Sequence, residues 1–386
     1  MKSLPARFAV LFVALVLTLL LAEGLTRLLS DVHAPLGRRD PRIGYRYARD
    51  ADVEIYVPES ERRVRLRFNG EGFRGPSRPR RKPAGTCRVA VLGDSQIAAI
   101  ATREEDTLVG RLEDRLRSSR SDVRWEVLNF GVSGSSTAQE LVLYREIVSR
   151  FAPDVVVLAY FEGNDLIDNS DRLSWASRIY MDLDGDGRLV QKPFSTARAS
   201  GSSWLNRNSR FYVWQKERVN RVLHRLLDDE GLNVRGGGGG QTYRTDESPD
   251  LRHAWRLTGA LIDDLRNRVE ADDGHFLLLY LPAAEGVDPE IWRARFGDPM
   301  GDSLRDPAHP RRRIGRMTGA LGVDAVFLTE SFRAASASDA EPLFYNREGH
   351  INERGQDLAA REVLDHLVRS GALARREERC AHALAP

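Results

Sequence analysis

The sequence predicts an α/β domain built on a doubly wound sheet of five parallel strands, with an N-terminal hydrophobic anchor ahead of it and a large insertion after the third strand. Three observations predict this. Five apolar runs are continuous rather than alternating, amphipathic helical patterns separate them, and one of the gaps is too long for a simple crossover.

The runs are Arg88–Gly93, Trp125–Asn129, Asp154–Tyr160, Phe276–Pro282 and Asp324–Leu328. Unbroken apolarity is what a strand needs when helices cover both faces of its sheet. Segments 108–119, 136–151 and 254–271 carry apolar residues at i, i+3, i+4 and i+7, as helices on such a sheet should. The long gap follows the third run. It holds an insertion at 166–250, which includes an amphipathic stretch around 203–231 and the glycine run 236–240, read as a flexible loop.

Ahead of the domain, Lys2 and Arg7 precede the uncharged run Phe8–Ala22, after which Glu23, Thr26 and Arg27 intervene. Residues 1–29 therefore read as a signal anchor or a signal peptide. Within 30–84, "DVEIYV" and "RVRLRF" alternate as a β-hairpin does, and "SRPRRKPAGT" reads as a linker. The main domain is expected at 85–370, with a C-terminal tail at 371–386.

Composition narrows the partners. The 58 Lys and Arg nearly cancel 56 Asp and Glu, leaving a net charge of +2. Nothing in that balance calls for nucleic acid, and a neutral, sugar-like substrate fits it better. Cys87 and Cys380 stand alone, without metal-ligand spacing, so no zinc site is expected and a single bridge between them stays open.

The chemistry concentrates where strands end. Val89–Ala99 reads "VAVLGDSQIAA", an apolar strand finished by Gly93-Asp94-Ser95. In parallel α/β sheets functional groups gather at the carboxyl ends of strands. A serine hydroxyl needs a base to attack a carbonyl, and the resulting oxyanion needs donors. After the second run, "NFGVSGSST" supplies glycines whose N–H groups are free to turn inward. After the third, "FEGNDL" offers the Asn164 amide. Late in the chain, "FYNREGHINERGQ" puts His350 on a loop before the last predicted helix of the domain. Asp94 is expected to shape the loop or cap the next helix.

These four blocks, Gly93-Asp94-Ser95, Gly134, Asn164 and His350, resemble the SGNH hydrolases, also called the GDSL esterase/lipase superfamily. The resemblance covers roughly 85–370. It implies a flavodoxin-like sheet, Ser95 as nucleophile, His350 as base, and an oxyanion hole made by the Ser95 and Gly134 N–H groups and the Asn164 amide. It also implies hydrolysis or transfer of ester-linked acyl groups without metal or organic cofactor. "NGEGFRG" (69–75) and "FEGNDL" further resemble membrane-anchored bacterial members associated with surface polysaccharides. The expected function is therefore a serine esterase on an acylated carbohydrate, anchored in the cell membrane with its domain on the periplasmic or extracellular side. Acyl transfer by the same serine and a silent polysaccharide-binding protein are the alternatives.

Two departures stand out. The third block reads Glu162-Gly163-Asn164-Asp165, with the glycine shifted by one. Three residues before His350, where the family carries Asp, stands Arg347, which has no acceptor for an imidazole N–H. Glu348, two residues before His350, is the expected replacement because alternate residues of an extended segment face the same way. The missing spacing recurs at Asp306-Pro-Ala-His309, in the wrong context. "MDLDGDGRLV" (181–190) imitates half a calcium loop through Asp182, Asp184 and Asp186, but Pro193 stands where the bidentate Glu belongs, and a hairpin turn explains the same letters. Trp204, Tyr212, Trp214, Trp255 and Trp292 are either sugar-stacking faces or core.

Overall fold

The computed structural model describes residues 4–29, 36–118, 123–174, 176–194, 201–216, 218–219, 240–297, 304–338, 341–345 and 349–382. They fall into two compact units, Met1–Arg38 with Ser195–Gly237, and Arg39–Phe194 with Gly238–Pro386.

The larger unit contains the sheet. Its strands are β1 (Thr86–Gly93), β2 (Arg124–Gly131), β3 (Val155–Phe161), β4 (His275–Leu281) and β5 (Ala325–Phe327). All pairings are parallel, in the order β2-β1-β3-β4-β5. This is the flavodoxin-like order, whose switch point lies between β1 and β3. Continuous apolarity has the expected cause. Ala90, Leu92, Val156, Leu158 and Leu278 face a core shared with helices Thr137–Glu146 and Pro249–Ala271. Val89, Val91, Val155, Val157 and Leu279 face the other core, with helices Leu108–Ser118 and Glu353–Arg369. Trp255 and Trp292 are buried, so they are core rather than exposed stacking faces.

Residues 39–84 belong to the same unit as the sheet. Strands Asp52–Val57 and Arg62–Arg67 pair antiparallel, with Val57 opposite Arg62 across the turn. Val57, Val64 and Leu66 are buried, so the hairpin is docked by its apolar face. The Arg-rich stretch that reads as a linker is strapped down. The fully buried Arg88 guanidinium pairs with Glu126 at 2.9 Å and donates to the carbonyls of Pro79 and Arg80, and Lys82 pairs with Asp154 at 2.6 Å.

Between β3 and helix Pro249–Ala271, the strands Met181–Leu183 and Leu189–Gln191 form a small antiparallel hairpin. Asp184 accepts from the N–H groups of Asp186 and Arg188, and Asp182 is engaged by Lys192 and His253. Asp186 pairs with Arg188 at 3.4 Å, so the calcium-like letters lie in a hairpin turn with all three acids already bonded to protein. Of the glycine run, 236–239 lie outside the described residues.

Cys87 on β1 and Cys380 on the helix Ala372–His382 form a disulfide across a separation of 293 residues. The crosslink ties the C-terminal helix to the first strand of the sheet and restricts the unfolded chain. Cys87→Ser is expected to lower unfolding stability by about 2–5 kcal/mol. Denaturant melts of wild type with and without reductant, beside those of the variant, check this: reductant should shift only the wild type.

Candidate active site

The nucleophile turn is assembled first by local sequence. Asp94 caps helix Ser95–Ala98, its Oδ1 accepting the Gln96 N–H at 2.8 Å. The short helix then lies against the ends of its own and the neighbouring strand. At Gly131, which is in register with Gly93, a Cβ would stand 2.3 Å from the Ala98 nitrogen, so only glycine lets β2 pass there.

The segment "NGEGFRG" holds the far end of this turn. The Asn69 carboxamide oxygen accepts the N–H groups of Glu71 and Phe73 at 3.0 and 3.1 Å, and a Cβ on Gly72 would stand 2.5 Å from the Tyr47 carbonyl oxygen. The tight turn delivers Phe73 into the core and Arg74 beneath the nucleophile helix. The Arg74 guanidinium, 2% exposed, donates to the carbonyls of Ala98 (3.0 Å), Ala99 and Thr102 (2.5 Å). Burial lowers its pKa to about 10. Arg74 thereby satisfies carbonyls at the end of a helix too short to satisfy its own.

Ser95 and His350 meet. Ser95 Oγ lies 2.9 Å from His350 Nε2. Their chain neighbours are stitched in parallel: Gln96 Oε1 accepts the Ile351 N–H at 3.0 Å, and Gln356 Nε2 donates to the Gln96 carbonyl at 2.9 Å. Both glutamines are 2% exposed.

The carboxylate on the other side of the imidazole comes from an unexpected place. Both oxygens of Glu59 lie 2.9 Å from His350 Nδ1, and Oε1 also accepts the His350 backbone N–H at 3.2 Å. Glu59 is in the turn of the 52–67 hairpin and its side chain is only 7% exposed, against 25% for His350. Arg62 at the same turn pairs with Glu353, the first residue of the helix after His350, at 2.5 Å. The expected acid, Glu348, lies outside the described residues, as does Arg347. Glu59 occupies the acceptor position at Nδ1 for which Glu348 was the expectation. No signal in the sequence singles out Glu59, 291 residues away from the imidazole it contacts.

His309 sits elsewhere. Its Nε2 lies 3.1 Å from Glu247 and its ring packs edge-on to Trp255, while Asp306 accepts the Ala308 N–H at the helix start. The Asp-x-x-His spacing there is a helix entry.

The remaining expected donors lie on the strands that flank β1. Gly134, with φ +74°, follows β2 on a loop fixed by Tyr47, whose hydroxyl accepts the Ser133 N–H at 3.0 Å. The Gly134 N–H donates to no protein group among the described residues. Asn164 follows β3 and donates through Nδ2 to Asp168 Oδ2 at 2.9 Å; Asp168 is in turn held by Arg178 at 2.8 Å. Beneath these loops lie three buried acids, Asp94, Glu140 and Asp165. Burial pushes all three carboxyls up, and their mutual repulsion pushes Glu140 and Asp165 further. The Gln96 N–H and the Asn164 amide, both donating to it, pull Asp94 back down.

The arrangement offers a hydroxyl bonded to an imidazole whose other nitrogen meets a buried carboxylate. That is the geometry from which a serine proton can leave as its oxygen attacks.

No family model and no curated protein matches the chain. Solved structures similar to it include an α/β hydrolase from the metagenome of Lake Arreo (14% identity, TM-score 0.41, over 72% of this chain and 94% of that one). Another is the acetyl xylan esterase AlAXEase (16% identity, TM-score 0.39, 72% and 98%). A third is a two-domain esterase active on acetylated mannans, of which this chain spans about half (9% identity, TM-score 0.40, 74% and 49%). At this level of likeness nothing about the present chain's chemistry follows from theirs.

Two predictions follow from the geometry. Glu59→Gln is expected to slow reaction of Ser95 with a fluorophosphonate by about 10²–10⁴-fold, because the imidazole loses its anionic partner. Glu348→Gln should leave the rate within about twofold, and mass-spectrometric timing of Ser95 labelling separates the two. The second concerns Glu162, the residue after β3. Its carboxylate accepts the hydroxyls of Tyr243 (2.7 Å) and Tyr280, and burial raises its pKa from 4.5 to about 7 despite those donors. Between pH 4.5 and 7 the folded chain keeps a proton that the unfolded chain has released. Stability from this group is therefore full below pH 4.5 and lost as pH rises through 7, by about 3 kcal/mol in all. Denaturant melts of wild type and Glu162→Gln across that window should diverge in this direction.

Proposed function

We propose that the chain is a membrane-anchored serine esterase acting outside the cytoplasm, which removes ester-linked acyl groups from a carbohydrate. The observation that carries the reading is the continuous hydrogen-bonded line from Ser95 Oγ through His350 to Glu59. A line of this kind is what a hydroxyl needs to lose its proton on attack and to have it returned afterwards.

In the proposed reaction His350 Nε2 takes the Ser95 proton as Oγ bonds to the ester carbonyl carbon. The Ser95 and Gly134 N–H groups and the Asn164 amide bind the resulting oxyanion. Collapse breaks the carbon–oxygen bond to the sugar, and His350 returns the proton to the departing alkoxide. Water then repeats the sequence on the acyl-enzyme, releasing carboxylic acid and free Ser95. Glu59 keeps the Nδ1 proton in place and stabilises the imidazolium throughout. Arg347, where the family carries an acid, would favour the silent binding protein, and the Glu59 carboxylate delivered from the hairpin supplies an acid in its stead.

Anchoring rests on helix Leu4–Leu29, whose span Arg7–Leu29 is 23 residues long and strongly hydrophobic, with no residue of its apolar window buried. Its full length would reach about 35 Å, of which the uncharged part Phe8–Ala22 is about 22 Å. The disulfide supports an oxidising compartment. The carbohydrate comes from the resemblance of residues 69–75 and 161–166 alone.

The test is turnover of acetylated glycans and of a chromogenic acetyl ester by purified protein. Asn164→Ala is expected to lower kcat by about 10²–10³-fold, the effect of losing one oxyanion donor, with KM little changed. Full activity in Ser95→Ala would end the proposal. Transfer of acetyl to added glycan in place of acetate release would move it from hydrolase to transferase.

A further inference from the structure

The charges that interrupt the apolar N-terminal helix have partners within the smaller unit. Glu23 and Arg27 form an i,i+4 pair at 2.6 Å. Glu23 also accepts from the Ser209 hydroxyl at 2.8 Å and from the N–H groups of Arg210 (3.0 Å) and Phe211 (3.1 Å). Arg27 donates to the Asn208 carbonyl at 2.9 Å. Asn208 ends helix Gly201–Asn208, and residues 210–216 are helical again.

The anion thus faces the first N–H groups of one helix and the cation the last carbonyl of the other. Each charge matches the end it faces, both for unsatisfied hydrogen bonds and for the helix dipole. The two charges that break the apolar span therefore form a socket for the junction between two helices far along the chain.

We propose that residues 201–216 are an interfacial element, held at the lipid–water boundary by the C-terminal end of an uncleaved anchor helix. This rests on the reading of Leu4–Leu29 as a membrane anchor. Phe8–Ala22 contributes about 22 Å of apolar helix, which is less than the hydrocarbon core, so Glu23 falls near the boundary or just inside it. A carboxylate at that depth is costly unless paired. The docked junction supplies the partners and brings its own side chains to the same level.

Those side chains suit the place. Trp204 is 60% and Leu205 36% exposed, Phe211 stacks with Trp214, and the Arg218 guanidinium lies 4.3 Å from the Trp214 ring centroid. Aromatic rings beside basic residues are the composition of the membrane interface, where an apolar body and a polar edge are both accommodated. Trp204 and Trp214 then meet lipid headgroups, a different partner from the sugar faces for which the sequence made them candidates. A signal peptide removed after export would strip the 208–211 junction of its socket, so the docking also favours retention of the helix.

Full-length protein reconstituted in phosphatidylcholine–phosphatidylglycerol vesicles, with lipids brominated at shallow or deep acyl positions, tests this by tryptophan quenching. Shallow quenching should exceed deep quenching, and Trp204→Phe/Trp214→Phe should lose about half or more of it. Glu23→Ala should reduce shallow quenching and open the chain to trypsin at Arg210, while the protein still resists carbonate extraction. Equal quenching of wild type and the double variant, in protein that resists extraction, would overturn the interfacial element and leave the anchor standing. Release by carbonate, or a mature N-terminus beyond residue 29, would overturn the anchor reading and the docking with it.

Discussion

The imidazole of His350 is the point on which the rest of the site depends, because it joins three stretches of chain that are far apart in sequence. One nitrogen faces the hydroxyl at the end of the first sheet strand, and the other faces a carboxylate from a hairpin that precedes the sheet. An imidazole bonded on both sides has its tautomer and its ring orientation fixed together. Without the hairpin, the ring would be free to turn away from Ser95.

Much of the surrounding structure is a second set of bonds that keeps those three stretches in register. Gln96 and Gln356 tie the nucleophile turn to the histidine loop through buried amides, and Arg62 ties the hairpin to the helix that follows. Arg74 closes the back of the nucleophile turn by collecting three carbonyls. Gln96, Gln356 and Arg74 are each 2% exposed, and polar groups buried this deeply cost free energy unless every partner is present. A change at any one of them therefore acts on the Ser95–His350 distance without touching either residue.

What was legible in the sequence follows from how local each signal is. The strands could be read because both faces of the sheet are covered, which writes burial into every consecutive residue of Val89–Leu92 or Val155–Tyr160. Ser95 and His350, which the structure brings into contact, stood out because each follows or precedes such an element. Glu59 could not, since a carboxylate in a hairpin turn looks like any solvated acid until the fold buries it. Glu348 was the expectation for the opposite reason: proximity in sequence suggested a partner that space supplied from elsewhere. "NGEGFRG" was visible as a resemblance, but its mechanical job depends on Arg74 reaching under a helix more than twenty residues later. The segment at 77–86 reads as a linker because its Arg residues are solvated in isolation, whereas Arg88 and Asp154 draw its backbone and its lysine onto the sheet.

The Cys87–Cys380 bond has a consequence for a broken chain. Glu59 and Ser95 lie before the segment Ser195–Gly237, and His350 lies after it. A single cut within that segment yields two polypeptides, one with the acid and the hydroxyl and the other with the imidazole. The sulfur–sulfur link keeps the fragments as one molecule, and the shared sheet still aligns them. A nicked preparation would migrate as two bands after reduction and as one before it, with its hydroxyl and imidazole still face to face.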